Sequence, residues 1–600
     1  MARYKEYGYD IKDGVGIIPE WEMEIKEEAF KGCKELKRID IPQWVTKIAK
    51  GAFCSCENLK GISLPEWLEE IEDIAFSGCS SIEEISLPRW VKKIGYRAFQ
   101  GCSSLTSISI PPSVTEIGCG AFSSCSSLMS IVVSKENQVY DSREDCNAII
   151  HTESNTLIRG CVKTIIPPSV MEIGESAINR CSNLTSISIP PSVTEIGKSA
   201  FSDCSNLTSI SIPPSVTKIG DSAFSGCKSL TSISIPESVT EIGKDAFNRC
   251  SSLTSISIPP SVTEIGDSAF FCCTSLTSIS IPPSVTKIGV WAFYGCSCLT
   301  SISVPPSVTE IGFWAFNSCS SLTSISVPPS VTEIGWGVFN CCSSLTSIVV
   351  SKDNKAYDSR EDCNAIIHTE SNTLIRGCEN TIIPLSVTEI GDCAFSGCSS
   401  LTSVSIPPSV TEIGKSAFSG CSNLTSILIP PSVTVIGDRA FSGCSSLTSI
   451  SIPPSVTEIG GWAFYGCSSL TSISIPESVT KIWRSAFDGC SSLTSIIVSK
   501  DNKVYDSREG CNAIIHLESN TLLRGCENTI IPPSVTEIGN RAFPGCSNLT
   551  SISIPQSVKK IGEYAFSHCS KLTNISIPKG CEVEDDAFKG CPENLVITRY

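Results

Sequence analysis

The chain has 600 residues, of which 41% are hydrophobic and 18% charged, and its formal net charge at pH 7 is −16. The negative charge is spread thinly and no basic cluster occurs, which excludes the phosphate-neutralising stripe of a nucleic-acid-binding protein. No segment reaches the roughly 18 apolar residues of a membrane span, and the start MARYKEYGYDIKDG lacks the apolar centre of a signal peptide, so we expect a soluble, unexported chain.

Residues 1–101 contain the first four turns of a repeat, and we expect them to form an N-terminal capping region. Phe30, Phe53, Phe76 and Phe99 mark its period of 23 residues. A short, constant period is typical of a chain that coils, with each turn stacking on the last. These turns are more charged and less uniform than the later ones, as is usual at the end of such an array.

The tryptophans of these turns occupy a single repeat column, which holds Ser in nearly all later turns. They are Trp21, Trp44, Trp67 and Trp90. Because Ser fits the same place elsewhere, we expect the column to lie near the surface, where a stripe of Trp would dock a sugar ring or a partner protein. The alternative is that these side chains cover the N-terminal end of the core.

Residues 102–578 consist mainly of regular turns, of which Leu105–Ser127 is representative. Ile108 and Ile110 alternate with Ser107 and Ser109, which predicts a strand with one buried face. Two consecutive prolines then end the strand, because neither has an N–H to donate.

The second half of the same turn predicts a return of the chain towards the core. Val114 and Ile117 indicate a second, shorter extended piece. Gly118 permits a corner, and the stretch from Cys119 to Cys125, with Phe122 buried, is long enough for one or two helical turns.

A single turn buries too little apolar surface to offset the entropy of ordering it, so only stacking stabilises the array. We therefore expect one elongated domain with a shared interior, from about Ile17 to Ile597. Residues 579–600 are predicted to form a C-terminal capping repeat, in which Leu595–Thr598 supplies a terminal strand.

The cysteines follow the repeat. Of the 34, 21 occupy one column, three residues after the Phe position. Free Cys is small and apolar and suits a tight corner, whereas disulfides need pairs and an oxidising compartment. We interpret this column as reduced, buried thiols.

Three inserts that resemble one another interrupt the period, at residues 132–161, 349–378 and 497–526. In each, two β-prone runs flank a polar turn, which predicts a β-hairpin projecting from the coil. In the first insert, a two-residue turn at Glu153-Ser154 would place Cys146 opposite Cys161. The candidate disulfides, if the protein is exported, are Cys146/Cys161, Cys363/Cys378 and Cys511/Cys526. The alternative is reduced thiols packed at the hairpin base.

Three of the four histidines occupy one position of the inserts: His151, His368 and His516. Their spacing from acidic residues and cysteines matches no zinc or calcium motif, so we expect no metal and no cofactor. Cys146 precedes His151 by five residues. Because odd spacing on a strand puts side chains on opposite faces, a nucleophilic pair is not favoured, and no catalytic site is expected.

Two further surfaces are candidates for binding. Outward serines such as Ser209 and Ser211 predict a repeating hydroxyl surface, which either binds a protein or glycan or is merely solvated. The second is a set of aromatic residues beside the Ala-Phe segment, which forms either a binding patch or ordinary surface. Its members are Trp291, Phe313, Trp314 and Trp336.

The pattern L..I.IP..V..IG..AF..C resembles the leucine-rich repeat of the BspA-like family, also called the Treponema pallidum type, over nearly the entire chain. It differs from the general leucine-rich repeat by Ser113, Ser192 and Ser261 where an Asn ladder often stands. The resemblance implies an α/β repeat solenoid: a curved, right-handed coil with a parallel β-sheet on the concave side, and short strands and single-turn helices on the convex side. Similar proteins are surface or secreted adhesins that bind host matrix proteins and other microbes, which implies recognition rather than catalysis.

We therefore predict a non-catalytic leucine-rich repeat protein that binds a protein or carbohydrate ligand along the solenoid, of the adhesion or host-interaction type. The resemblance implies a cell-surface or secreted location, whereas the absence of a signal peptide or anchor from this sequence leaves a cytoplasmic location open. The alternative is an intracellular structural or scaffold protein whose thiols stay reduced.

Overall fold

The computed structural model describes residues 9–600 and divides into two compact units, Met1–Leu299 and Thr300–Tyr600. The expectations for the first eight residues of the N-terminal cap, MARYKEYG, fall outside the described part. Each unit is built from the 23-residue turns that the sequence indicates.

Regular turns contribute two kinds of strand. The longer one, here called the serine strand, has mostly serines facing outward, and the two-residue one is here called the short strand. Serine strands of successive turns pair in parallel and in register, with Ser209 opposite Ser232. Short strands pair in the same way, as Val435–Ile436 does with Glu458–Ile459 in the second unit. The predicted repeat solenoid is confirmed in both units.

The first unit contains two such series and one insert. Its serine strands and the hairpin before them are Asp10–Lys12, Val15–Ile17, Arg38–Asp40, Gly61–Ser63, Ser107–Ile110, Ser130–Val133, Ser186–Ser188, Ser209–Ser211, Ser232–Ser234, Ser255–Ser257 and Ser278–Ser280. Its short strands are Glu24–Ile25, Lys47–Ile48, Glu70–Ile71, Lys93–Ile94, Glu116–Ile117, Glu172–Ile173, Glu195–Ile196, Lys218–Ile219, Glu241–Ile242, Glu264–Ile265 and Lys287–Ile288. The strands of its insert are Tyr140–Asp141, Ile149–His151 and Thr156–Arg159.

The second unit repeats this plan with two inserts. Its serine strands and the terminal strand are Ser324–Val327, Ser347–Val350, Ser426–Leu428, Ser449–Ser451, Ser472–Ile475, Ser495–Val498, Ser551–Ser553, Asn574–Ile577 and Val596–Arg599. Its short strands are Glu310–Ile311, Glu333–Ile334, Glu389–Ile390, Glu412–Ile413, Val435–Ile436, Glu458–Ile459, Lys481–Ile482, Glu537–Ile538, Lys560–Ile561 and Glu582–Val583. The strands of its inserts are Tyr357–Asp358, Ile366–His368, Thr373–Arg376, Tyr505–Asp506, Ala513–His516 and Thr521–Gly525.

The segment around the Ala-Phe pair is not helical, so the expected single-turn helices are wrong. In the turn 197–204 it forms successive tight turns, and Ser199 has a φ of 54°, a left-handed conformation that interrupts a right-handed helix. The Phe201 amide donates to the Ala223 carbonyl of the next turn at 2.8 Å, so these bonds run between turns. Within residues 9–600 the helical segments are three short 3₁₀ stretches, Arg143–Asp145, Arg360–Asp362 and Arg508–Gly510.

The interior of each unit consists of columns of like residues. In the first unit the rings of Phe201, Phe224 and Phe247 stack nearly parallel, with centroids 5.4 and 5.5 Å apart. Phe418 and Phe441 stack at 5.4 Å in the second. Stacked rings add to the free energy gained by burying their area, and each ring gains it only from a neighbouring turn. The columns therefore explain why a turn is stable only within the array.

The regular Cys column is buried and forms a ladder of its own. Cys227 Sγ donates to the Phe201 carbonyl at 3.2 Å, and Cys250 Sγ donates to the Phe224 carbonyl at 3.2 Å. Burial raises the pKa of the Cys227 thiol to about 12 and that of Cys250 well above its usual value. The predicted burial of this column is confirmed except at the partly exposed Cys591, and thiols of the column donate to carbonyl groups in addition to filling space.

Both ends of the chain carry distinct elements. Asp10–Lys12 and Val15–Ile17 form an antiparallel hairpin, and the buried Tyr9 ring stacks on Phe30 with centroids 5.6 Å apart. At the other end, Val596–Arg599 pairs in parallel with Asn574–Ile577. The predicted C-terminal strand is confirmed.

Each insert forms the predicted hairpin, but the hairpin does not project. In the first insert, Ile149–His151 pairs antiparallel with Tyr140–Asp141 and with Thr156–Arg159. Thr156–Arg159 also pairs in parallel with the short strand Glu172–Ile173, and Leu157 is fully buried. The insert therefore extends the series of short strands and continues the interior.

Candidate functional site

The tryptophan column of the first turns lies on the surface. The exposed fraction falls from 81% at Trp21 through 67% at Trp44 and 52% at Trp67 to 40% at Trp90. The rings of Trp67 and Trp90 stack with centroids 6.1 Å apart and planes 12° apart. The guanidinium of Arg89 lies 5.2 Å from the centre of the Trp90 ring. The expected surface position is confirmed.

The alternative role, covering the N-terminal end of the core, fits these exposures poorly. Trp21 is the member nearest that end and is the most exposed of the four. The ring that lies against Phe30 there is Tyr9, which has no exposed surface.

The same column in later turns explains why the tryptophans change the surface. Ser192 Oγ donates to the Val170 carbonyl at 2.6 Å, and Ser215 Oγ donates to the Val193 carbonyl at 2.6 Å. This serine ladder stands where an Asn ladder often stands in leucine-rich repeats. Indole is too large for the place, so a Trp in this column is held outside the turn.

The second set of aromatic residues is also partly exposed. In the first unit, Trp291 has a φ of 55° and an exposed ring. In the second unit, Trp314 and Trp336 meet edge to face with ring centroids 4.9 Å apart, and Phe313 is exposed beside Trp314. A small aromatic patch therefore exists in the second unit.

The outward serines form the predicted hydroxyl surface. Ser209 and Ser211 are exposed and lie opposite the corresponding serines of the next turn. Beside them, Thr208 Oγ1 donates to the Thr185 carbonyl at 3.1 Å, and the same bond recurs from turn to turn. Because the threonine donors are used internally, the serines carry most of the free hydrogen-bonding capacity of this face.

The insert cysteines lie at the base of each hairpin, with a register that differs from the expected one. A bulge between Ile149 and Ile150 shifts the pairing by one residue before the strand reaches Cys146. Cys161 Sγ donates to the Asn147 carbonyl at 3.6 Å, and both thiols are free in the structure. The other two inserts carry the same bulge. Disulfide formation by the three pairs stays a prediction.

Five of the insert thiols have pKa values raised by burial. Burial raises the pKa of Cys146, Cys378, Cys511 and Cys526, and raises that of Cys363 to about 11. A thiol with a raised pKa is protonated at neutral pH and is a poor nucleophile. This chemistry agrees with a packing role.

The insert histidines lie beside the hairpin turns. His151 Nδ1 is 2.9 Å from Ser154 Oγ, and its ring meets the Tyr140 ring edge to face. Across residues 9–600, no three His, Cys, Asp or Glu side chains are grouped so as to hold a metal ion.

Sequence reasoning missed three buried arginines at one position of the inserts: Arg159, Arg376 and Arg524. Arg159 Nη1 donates to the carbonyls of Ser176 and Asn179, each at 3.2 Å. The alternation of the strand could have predicted this burial. Leu157 and Arg159 are two residues apart, so both side chains lie on the same, buried face.

Sequence reasoning also missed aliphatic residues that replace outward serines, one at the start of each insert and one shortly after its end. They are exposed, and they are Val132, Ile165, Val349, Ile382, Ile497 and Ile530. These residues add apolar area to an otherwise hydroxylic face at three places along the chain.

A model of the BspA-type leucine-rich repeat region matches residues 23–146, 158–276, 240–360, 373–508 and 519–598. The chain belongs to the BspA-type leucine-rich repeat family. The resemblance seen in the sequence is therefore confirmed. No curated protein sequence matches the chain. Among the described residues, the structure has no helix with the length and hydrophobicity needed to cross a bilayer.

Several solved structures are similar to this member of the BspA-type family. A leucine-rich cell surface protein from Faecalibacterium prausnitzii is 27% identical, and the match covers 75% of this chain and 94% of that one with a TM-score of 0.38. A leucine-rich repeat protein from Eubacterium ventriosum is 26% identical, with coverages of 61% and 87% and a TM-score of 0.40. The T. pallidum leucine-rich repeat protein is 24% identical, with coverages of 38% and 89% and a TM-score of 0.21.

Proposed function

We propose that the chain is a non-catalytic recognition protein of the adhesion or host-interaction type, and that it binds a protein or glycan through the tryptophan column of its first four turns. The observation that carries this proposal is the exposure of Trp21, Trp44, Trp67 and Trp90 in a column where Ser suffices elsewhere. Large aromatic rings left in water are a recognised mark of binding surfaces.

The geometry supports a flat ligand or a protein loop laid along the column. Trp67 and Trp90 stack on each other and remain 52% and 40% exposed, and the guanidinium of Arg89 over the Trp90 ring adds a donor. Burying indole surface contributes a large free energy of binding per residue. The entropic cost is low because a Trp side chain has only two rotatable bonds to fix.

The test is binding of the full chain to a glycan array and to a panel of immobilised extracellular-matrix proteins. Replacing the four tryptophans by Ser restores the residue of the later turns, so the variant is expected to fold. We expect its affinity for the bound ligand to fall by at least about tenfold, since hot-spot aromatics contribute that much or more. Leu428→Ser is the matched control, because it also replaces an exposed apolar residue by the Ser of its column and lies outside the first four turns. Undiminished binding by the four-Ser variant contradicts the proposal.

A second candidate, an intracellular scaffold, is favoured by the exposed thiols. Cys119, Cys298 and Cys341 are free and exposed, and such cysteines suit a reducing compartment. Thiol titration of the natively purified chain under denaturing, non-reducing conditions separates the two candidates. Thirty-four reactive thiols favour the scaffold, and fewer, with Cys146 linked to Cys161, favour export.

A further inference from the structure

A cavity of about 550 Å³ lies in the second unit beside the third insert. Its lining includes Arg484, Arg524, Arg541, Asp488 and Trp483. The volume is within the usual range for a small-molecule site, roughly 300–1,000 Å³. The cavity is separate from the tryptophan column, which belongs to the first unit.

Arg524 is deeply buried in this cavity and lacks hydrogen-bond acceptors. The residue is 4% exposed, and none of its three guanidinium nitrogens has a hydrogen-bond partner. Its nearest charge is Asp488, whose Oδ1 lies 3.7 Å from Nη1, too far for a hydrogen bond. A buried guanidinium without acceptors is costly, so this group calls for a ligand that supplies them.

The equivalent arginines of the other inserts are partly satisfied: two guanidinium nitrogens of Arg159 and one of Arg376 lack partners, against all three of Arg524. Arg159 donates to two carbonyl groups of the following turn. Arg376 donates to the carbonyls of Cys393 at 3.3 Å and Ser396 at 3.0 Å. Arg524 makes neither bond, although its insert has nearly the same sequence.

The residues around Arg524 account for the difference. Asp488 stands where the second insert is preceded by Asn340, and its carboxylate draws the guanidinium of Arg524 towards the cavity. Asp488 Oδ2 also lies 3.8 Å from Arg541 Nη1. The ring of Tyr564 holds Arg541, whose guanidinium carbon lies 4.8 Å from the ring centre.

The charges of the lining leave a positive excess. The guanidinium groups of Arg484, Arg524 and Arg541 face two carboxylates, those of Asp488 and Glu563. One further negative charge would balance the cavity. Guanidinium groups bind planar or tetrahedral oxyanions through paired N–H donors.

We propose that this cavity binds the oxyanionic group of a small ligand, a carboxylate, sulfate or phosphate, through Arg524 and Arg541. The anion supplies the acceptors that Arg524 lacks and lies between the two guanidinium groups on the side away from Asp488. Trp483 also lines the cavity with a partly exposed ring, over which the Lys481 ammonium lies at 3.5 Å from the ring centre.

The test is isothermal titration calorimetry of the full chain with sodium sulfate, inorganic phosphate and glucuronate at constant ionic strength. We expect saturable binding with one site per chain for at least one of the three anions. Preference for glucuronate identifies a sugar acid as the source of the anion, and preference for phosphate or sulfate identifies a phosphorylated or sulfated ligand. Absence of saturable binding by all three anions overturns the proposal.

Two variants and one control make the test specific. Arg541→Ser introduces the residue that stands at this position in the turn of Ser222, so the fold is kept, and binding should weaken on the order of tenfold. Asp488→Asn introduces the residue of the second insert and removes a competing carboxylate, so binding should tighten. Arg97→Ser is the matched control, because Arg97 lies in the same column and its guanidinium carbon is also 4.8 Å from a tyrosine ring, that of Tyr96.

Arg97→Ser should leave anion binding unchanged. Equal binding by Arg541→Ser and Arg97→Ser contradicts the proposal. Weaker binding by Asp488→Asn also contradicts it, because Asp488 would then be part of the anion's own site.

Discussion

A regular turn and the first insert use different hydrogen-bond donors to satisfy the carbonyl groups of the next turn. In a regular turn, backbone amides satisfy the carbonyl groups of the following turn, as the Asp203 amide does for the Ser225 carbonyl at 2.6 Å. After the first insert no such amide is in place for Asn179, and Arg159 Nη1 donates to its carbonyl at 3.2 Å instead. In the first insert a buried side chain thus replaces a backbone donor, whereas at the second insert the Cys341 amide still donates to the Ser396 carbonyl at 3.2 Å, beside Arg376.

The insert also needs a glycine where the regular turn has a large side chain. The Gly160 amide donates to the Ala177 carbonyl at 2.8 Å, which reproduces one regular bond. A Cβ at Gly160 would lie 2.5 Å from Ile178 Cδ1, and at Gly525 it would lie 2.1 Å from the Phe543 ring. The comparison teaches that the array accepts the first insert because this insert supplies both a donor and the space for the next turn.

The largest loss in free energy of unfolding is expected when a phenylalanine ring is removed from the regular stack. Phe224 has a stacked ring on each side, at 5.4 and 5.5 Å, whereas Phe122, the last ring before the first insert, has a stacked partner in Phe99 alone among the described rings. Phe224→Ala should lower the free energy of unfolding by about 3–5 kcal/mol. Phe122→Ala should cost about 1 kcal/mol less, because it loses one aromatic pair instead of two.

Hydrogen exchange of the affected turns, followed by mass spectrometry, measures both variants without assuming that the whole array unfolds in one step. Equal losses of protection in the two turns would mean that the insert packs against Phe122 as well as another ring does.

A smaller loss of stability is expected when the buried Arg159 is replaced. Arg159→Met keeps the length of the side chain but removes the donor to the Asn179 carbonyl, whereas the Ser176 carbonyl keeps the Asn179 amide as a donor at 3.3 Å. Leaving this partly buried acceptor unsatisfied should cost about 1 kcal/mol, so the turn 176–181 should exchange faster. Arg180→Met is the control, since its ion pair with Asp203 is exposed and such pairs contribute about 0–1 kcal/mol. If the two variants behave alike, the carbonyls are satisfied in another way and the comparison fails.

The period of the sequence predicted most of the fold, and neighbouring turns decided the rest. The alternation of Ile108 and Ile110 with serine was enough to place a strand, because its cause is local. The Ala-Phe segment was expected to be helical, yet the Phe201 amide donates to the next turn, a partner that no single turn contains. The surface position of Trp44 was predictable from the serines of its column. The sequence could not predict that the guanidinium of Arg524 lines a cavity without hydrogen-bond acceptors. This placement depends on Asp488, which lies 36 residues away in the sequence.

The smallest loss in free energy of unfolding is expected in the serine column. Here a serine of a regular turn is compared with a serine that follows an insert. Ser215 Oγ donates to the Val193 carbonyl at 2.6 Å, whereas the exposed Ser169 Oγ accepts from Arg143 Nη1 at 3.2 Å. Ser215→Ala should lower the free energy of unfolding by about 1 kcal/mol, because it removes a partly buried hydrogen bond of the ladder. Ser169→Ala should cost clearly less, since its partner Arg143 keeps Asp141 and water. Protection of the Thr194 and Thr217 amides in hydrogen exchange reads out the first variant. A larger loss in Ser169→Ala than in Ser215→Ala would show that the ladder does not stabilise the regular turns.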